Sequence, residues 1–256
     1  FLNYLRCHDD IGWGLDYDWL KEAKEIEEVP HKKYLNDYLT GKWPGSMAKG
    51  ELYNDDPTSG DARLCGTTAS LCGLEKAVED GDEKERENAL RFIEMLHGYM
   101  LVQSGIPVIY SGDEIGQFND NEYHKDPKKA EDSRYLHRGS FSWEKAGLRK
   151  VEGSYQKEIF DCIRKMEDLR AAHPVFLNQA AVWTVDTRDS AVLCVNRAFE
   201  DEKLTALFNF SGEERTAWIQ EEGMYAELLT GERMEARNVV LPAYGLRWLM
   251  REVESE

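Results

Sequence analysis

The sequence predicts an α/β segment followed by an all-β segment, and three features carry that reading. Two short apolar runs, Leu2–Leu5 and Gly105–Tyr110, each end in a polar turn, as buried parallel strands do when they feed functional loops. Helical spacing occupies part of the interval between them. From Ala181 onward, β-rich runs recur at roughly ten-residue intervals between turn residues.

Taken in order, the first run closes in Arg6-Cys7-His8-Asp9-Asp10, a strand end carrying polar side chains. Residues 14–66 hold many Gly, Pro, Asn and Asp residues around short helical pieces, an excursion that compact domains reserve for function and that reads as an inserted subdomain. Ala69, Leu71, Leu74 and Ala77 predict one helix. After a charged turn over Gly81–Glu87, Leu90, Ile93, Met95, Leu96, Tyr99 and Leu101 predict a second. Gly105–Tyr110, ended by Ser111-Gly112-Asp113-Glu114, then completes a strand, helix, strand crossover unit. Ile159, Ile163, Met166 and Leu169 predict a helix over 156–172 that His173-Pro174 stops. The runs 182–185, 191–196, 205–210, 216–219, 225–229, 239–241 and 247–250 predict an antiparallel β domain. The expected domains are therefore 1–173 and 174–256.

At 256 residues, with 41% hydrophobic and 11% aromatic content, the chain is long enough for one large packed domain or two modest ones. No window approaches about eighteen uninterrupted apolar residues, so nothing predicts a membrane span. A net charge of −17 repels phosphate backbones and makes nucleic acid and anionic lipid poor partners. Five cysteines are an odd number, scattered and without a C-x-x-C pair, which suggests neither a disulfide framework nor a zinc site and favours a reducing cytoplasm. Asn119-Asp120-Asn121-Glu122 lacks the glycine and spacing of a calcium loop, and no metal or cofactor is expected. The chain opens with Phe1 in an apolar stretch and is expected to begin inside a longer polypeptide.

The strongest chemical signal is His8 beside the paired carboxylates Asp9 and Asp10 at a strand end. Such a group can hold a polyol by hydrogen bonds while a carboxylate opposes developing positive charge. On the residues alone, a simple loop cap is an equal reading. Arg134 likewise stands in a polar stretch, 119–138, that by itself reads as a solvated loop, although an arginine fork can close a pocket by pairing with a carboxylate. Trp13, Trp19, Trp43 and Trp143 have faces suited to sugar rings, and packing is the expectation for most of them.

Asn3-Tyr4-Leu5-Arg6-Cys7-His8-Asp9-Asp10-Ile11-Gly12-Trp13 resembles the motif at the seventh barrel strand of the α-amylase superfamily (glycoside hydrolase family 13) in its amylosucrase-type form. Three further segments agree in order. Pro57–Thr67 resembles the end of the amylosucrase-type inserted subdomain, Gly105–Gly116 resembles the eighth strand and its loop, and Asp132–Gly139 resembles the following active-site loop. Cys7 departs from the usual serine, and Tyr135 from the usual tryptophan.

The resemblance implies the C-terminal portion of a (β/α)8 barrel, with the insertion at about 14–66, followed by an antiparallel β-sandwich. It implies that Asp9 is a transition-state stabiliser with His8 beside it. Asp10 and Arg63 would line the leaving-group or acceptor side, and Arg134 would close the glucose site by pairing with an aspartate earlier in the barrel. Asp113 and Glu114 would be structural. The implied reaction is retaining α-glucosyl transfer from, or hydrolysis of, sucrose or an α-glucan. The nucleophile and general acid/base would lie in a missing N-terminal barrel segment, so the isolated chain is expected to be inactive and to self-associate. A plain sucrose or α-glucan hydrolase, and a non-catalytic carbohydrate-contacting module, are the alternatives.

Overall fold

The computed structural model describes residues 1–252; positions 253–256, the last four of the expected C-terminal domain, lie outside the described residues. The chain opens with strand β1 (Leu2–Asn3), after which Asp16 accepts the Trp19 N–H and starts helix α1 (Tyr17–Lys24), followed by α2 (Glu28–Leu39). Strand β2 (Glu51–Tyr53) pairs antiparallel with β3 (Arg63–Cys65). Where the sequence predicts one helix, the structure has two, α3 (Thr68–Leu71) and α4 (Leu74–Asp80). Gly73 separates them at φ +90°, a conformation that favours glycine, and a Cβ there would meet the Met47 Cβ at 2.7 Å.

Helix α5 (Glu83–Val102) begins inside the charged stretch expected to be a turn. Asp82 accepts the Glu85 N–H as its cap, and Glu83 and Glu85 suit the positive helix N-terminus, so charge promotes the helix there. Strand β4 (Ile106–Pro107) pairs in parallel with β1, Leu2 opposite Ile106 and Asn3 opposite Pro107. Both runs were expected to be buried, yet Leu2 is 63% and Ile106 61% exposed. Among the described residues these two strands pair only with each other, and so narrow a ribbon lacks the layers over both faces that bury a wider parallel sheet.

Helices α6 (Trp143–Gly147) and α7 (Tyr155–Ala172) follow, the latter capped by Ser154. The remainder is strand: β5 (Ala181–Val185), β6 (Val192–Phe199), β7 (Glu202–Asn209), β8 (Arg215–Trp218), β9 (Met224–Glu227), β10 (Arg233–Glu235), β11 (Asn238–Leu241) and β12 (Leu246–Arg251). Of the four tryptophans expected mainly to pack, Trp19, Trp43 and Trp143 are exposed. Helix α1 buries no residue, Trp143 meets Phe141 edge-on, and Trp43 meets Tyr34 edge-on at 4.8 Å, so each indole keeps much of its face in solvent.

Two compact units emerge. One combines Phe1–Leu5, Leu90–Val108 and the chain from Glu152 onward; the other combines Arg6–Ala89 with Ile109–Val151. Contacts thus group α7 and part of α5 with the C-terminal strands, a grouping that runs across the 173/174 boundary read from the sequence.

In the first unit, six strands form one sheet in the order β10-β9-β12-β7-β6-β5, and β8 pairs with β11. Cys194, Leu207, Tyr225 and Leu249 of the large sheet share a core with Ala217, Val239 and Leu241 of the small one, which is a sandwich arrangement. On α5, Gly98 lets the helix approach closely, since a Cβ there would stand 2.5 Å from Leu246 Cδ1. Arg197 is fully buried and donates to the carbonyl oxygens of Val175 (2.7 Å), Val102 (2.7 Å) and Leu177 (2.8 Å) and to Ser104 Oγ (3.2 Å). It gathers the end of α5 and the turn after α7 onto β6, satisfying carbonyls that would otherwise be buried without donors.

In the second unit, Cys65, Tyr123 and Leu136 form a small core with Tyr53 and Tyr135 packed against it. The polar stretch 119–138 is solvated over 121–131 apart from Tyr123, as its composition suggests, and turns inward at Leu136 and His137. The Asn119 side chain accepts the Thr67 N–H (2.9 Å) and donates to the Lys49 carbonyl (2.5 Å).

Replacing Arg197 with Met keeps an apolar stem and strands several buried acceptors. At roughly 1–3 kcal/mol for each unsatisfied group, with partial relaxation, the variant should lose about 3 kcal/mol or more in urea unfolding. A loss under about 1 kcal/mol would show that these carbonyls find other donors.

Candidate active site

The segment after β1 is anchored by Arg6. This side chain is 3% exposed and grips Asp113 Oδ1 with Nη2 at 2.7 Å and Nε at 2.9 Å, while the Tyr110 ring lies 4.6 Å from its guanidinium carbon. Asp113 sits in a short turn between Gly112 (φ +101°) and Gly116 (φ +58°), and Glu114 accepts the Gly112 N–H at 2.7 Å. Both acidic side chains thus bond within the protein.

His8 is exposed, and its carbonyl is held by two side chains. Arg138 Nε donates to that carbonyl at 2.5 Å, and His137 Nε2 donates to it at 3.4 Å. Because a carbonyl only accepts, His137 carries its proton on Nε2, leaving Nδ1 to accept the Gly66 N–H at 3.1 Å. Both ring nitrogens are then used by the neutral form. Burial, reinforced by the nearby Arg6 charge, pushes the His137 pKa down to about 4.

Asp9 is half-exposed. Its Oδ1 accepts Arg134 Nη1 at 3.2 Å and the Asp10 N–H at 3.2 Å, and Arg138 Nη2 stands 3.6 Å away. The Arg134 hydrogen bond, with that of the Asp10 backbone, holds the Asp9 carboxyl below its usual range. Asp132 takes Arg134 in a fork, Nε on Oδ1 and Nη2 on Oδ2, each at 2.8 Å, and its pKa is likewise lowered by Arg134. The guanidinium lies 4.7 Å over the Tyr53 ring. Within this chain the partner of Arg134 is Asp132, two residues upstream, which also caps the turn by accepting the Arg134 N–H.

Asp10 pairs with Arg63, Nε to Oδ2 at 3.8 Å. Gly12 makes room for that arginine, since a Cβ at Gly12 would fall 1.6 Å from Arg63 Nη1. The Ile11 and Leu64 backbones exchange hydrogen bonds at 2.8 and 2.9 Å and fix the register of the two segments.

The five residues singled out by sequence therefore fall into two neighbouring groups, His8 and Asp9 with Arg134, and Asp10 with Arg63. Sequence reasoning missed Asp132, His137, Arg138 and the Tyr53 ring. The available signal was the four-residue spacing of Arg134 and Arg138 in a stretch already suspected. Among the described residues no cluster of three His, Cys, Asp or Glu side chains is arranged to hold a metal. Chemically, Asp9 and Asp132 are anions at neutral pH. They can accept hydroxyl protons and oppose positive charge, but with lowered pKa values they are unsuited to donate a proton.

His137 makes the site acid-sensitive. Between its ordinary value of 6.5 and its folded value of about 4, the unfolded chain binds a proton that the folded chain excludes. Its contribution is present above pH 6.5 and is lost as pH falls toward 4, by up to about 3 kcal/mol. His137→Gln can keep both hydrogen bonds without titrating, so its unfolding free energy should fall less over this range than that of the native chain. Parallel pH profiles would contradict the assignment.

The comparisons with known proteins agree on fold. A family model described as the β-galactosidase C-terminal domain matches residues 194–249, within the strand-rich part. Among solved structures, a variant of AmyP in complex with maltotriose is similar with a TM-score of 0.57 at 17% identity, over 73% of this chain and 39% of that one. AmyP in complex with maltose gives 0.53 at 17% identity, over 66% and 36%. An Anoxybacillus α-amylase gives 0.53 at 18% identity, over 75% and 37%. The chain thus spans well under half the length of these α-amylase-family enzymes. Over two thirds to three quarters of its own length, it shares their fold.

Proposed function

We propose that this chain is the C-terminal part of an amylosucrase-like member of the α-amylase superfamily, a retaining enzyme that transfers or hydrolyses α-glucosyl groups of sucrose or an α-glucan. The observation that carries the reading is Asp9: a half-exposed carboxylate, held ionised by Arg134, in a motif that resembles the seventh-strand motif of that superfamily. In this reading β1 and β4 are the seventh and eighth strands of a (β/α)8 barrel, residues 14–66 are the inserted subdomain, and 174–256 form the C-terminal β domain.

Asp9 stabilises the oxocarbenium-like transition state and His8 holds the same sugar. Arg134 closes the glucose end, and Asp10 with Arg63 faces the leaving group or acceptor. A retaining reaction also needs a nucleophile and a proton donor about 5 Å apart. The lowered pKa values of Asp9 and Asp132 suit neither to the donor role, and in this reading both the donor and the nucleophile belong to an upstream barrel segment of the same polypeptide. The five free cysteines fit a cytoplasmic enzyme. A sucrose or α-glucan hydrolase differs from this reading only at the acceptor side.

The reading is tested by Asp9→Asn in the full-length enzyme. The change keeps the shape and removes the charge facing the reacting sugar. An interaction that strengthens as positive charge develops acts on the transition state, so kcat on sucrose should fall about 100-fold or more, with KM little changed. A variant with near-native kcat would refute the catalytic role of Asp9.

A further inference from the structure

Ile11 faces Leu64 in an isolated antiparallel bridge, and the same register sets Gly12 opposite Arg63 and Asp10 opposite Cys65. Asp10 and Gly12, two residues apart, share a face of this short extended segment. The Arg63 side chain runs across that face. The three atoms nearest to a Cβ added at Gly12 all belong to it: Nη1 at 1.6 Å, Cζ at 2.9 Å and Cδ at 3.5 Å. From there its Nε stands 3.8 Å from Asp10 Oδ2. The guanidinium thus occupies the space where any other residue would carry a side chain.

Three observations make Gly12 a seat for Arg63 and not a demand of the backbone. Gly12 is not among the glycines with positive φ, so an L-residue fits its conformation. The atoms an added methyl would meet are the far end of a flexible side chain that is 55% exposed and able to swing into water. The contact with Asp10 is long, and an exposed pair of that kind holds an arginine only weakly. What leaves the guanidinium its place is the bare Cα.

We propose that Gly12 is a specificity-determining position: its missing side chain seats Arg63 beside Asp10, where the arginine favours glucosyl transfer to a sugar hydroxyl over transfer to water. The seat rests on geometry, and its effect on the reaction rests on the acceptor-side reading of Asp10 and Arg63 given above. A guanidinium held in place offers a fixed fork of donors to an acceptor's hydroxyls, whereas one turned out into solvent leaves that space to water.

The test is Gly12→Ala, alone and combined with Arg63→Ala, in the full-length enzyme supplied with sucrose and maltoheptaose. The methyl should displace Arg63, so the ratio of transfer to hydrolysis should fall about two- to fivefold, the scale of one exposed charged contact. The maltoheptaose concentration that gives half-maximal transfer should rise by a similar factor. In the Arg63→Ala background the methyl enters vacated space, and Gly12→Ala should change neither quantity further. An unchanged or raised ratio in Gly12→Ala overturns the proposal, as does an equal fall with and without Arg63, or a native enzyme that transfers glucose to water only. Urea unfolding of the same enzymes reads their folding. A single variant that fails to fold beside a folded double variant would show that Arg63 cannot leave its place, and failure of both would make Gly12 a backbone requirement; either result overturns the proposal. The two readings fail distinguishably: sucrose cleavage with a ratio insensitive to Gly12→Ala defeats only this inference, and no cleavage of sucrose or α-glucan by the native enzyme defeats both.

Discussion

The arrangement of the site depends on one buried ion pair, Arg6 with Asp113. A guanidinium that is 3% exposed has lost its water and must be met by fixed partners. Asp113 meets it with two short bonds, and the Tyr110 face covers it. Such a pair adds little net stability compared with apolar residues, but breaking it would cost about 3–5 kcal/mol, so it confines the backbone more than it strengthens the fold. With Arg6 held inward, the His8 carbonyl turns to Arg138 and His137, and the Asp9 carboxylate is left half-exposed.

Around that carboxylate, two arginines serve two aspartates. Arg134 divides its guanidinium between Asp132, which takes a two-bond fork, and Asp9, which takes one longer bond. The stronger grip on Asp132 fixes the arginine, and the weaker one leaves Asp9 able to accept a hydroxyl from a ligand. Both carboxyls stay ionised because the bonds that position them also favour the charged form. Geometry and charge therefore suit Asp9 to opposing positive charge and not to donating a proton.

Much of this was legible in the sequence, and the gaps have physical causes. The seven β-rich runs all became strands because alternation with turn residues reports a half-buried sheet. Strand β10, Arg233–Glu235, was missed because a short, polar edge strand carries no apolar alternation. Charge misled at Glu83–Glu87, where acidic residues favour a helix start, and the polarity of 119–138 reported its exposed middle but hid the anchoring bonds of Asn119 to Thr67 and Lys49. The motif residues His8, Asp9, Asp10, Arg63 and Arg134 were visible through their resemblance to a known pattern. His137 was not, because its ring accepts from the Gly66 N–H, 71 residues away, and no local pattern encodes that contact.

The central claim is that Asp9 belongs to an enzyme that cleaves an α-glucosidic bond with retention. The most direct measurement follows the anomeric proton of newly released glucose by NMR, in the first moments after sucrose is mixed with the full-length enzyme. The account predicts fructose together with glucose that appears first as the α anomer and then mutarotates. Release of β-glucose first, or no cleavage of sucrose or α-glucan, would contradict it.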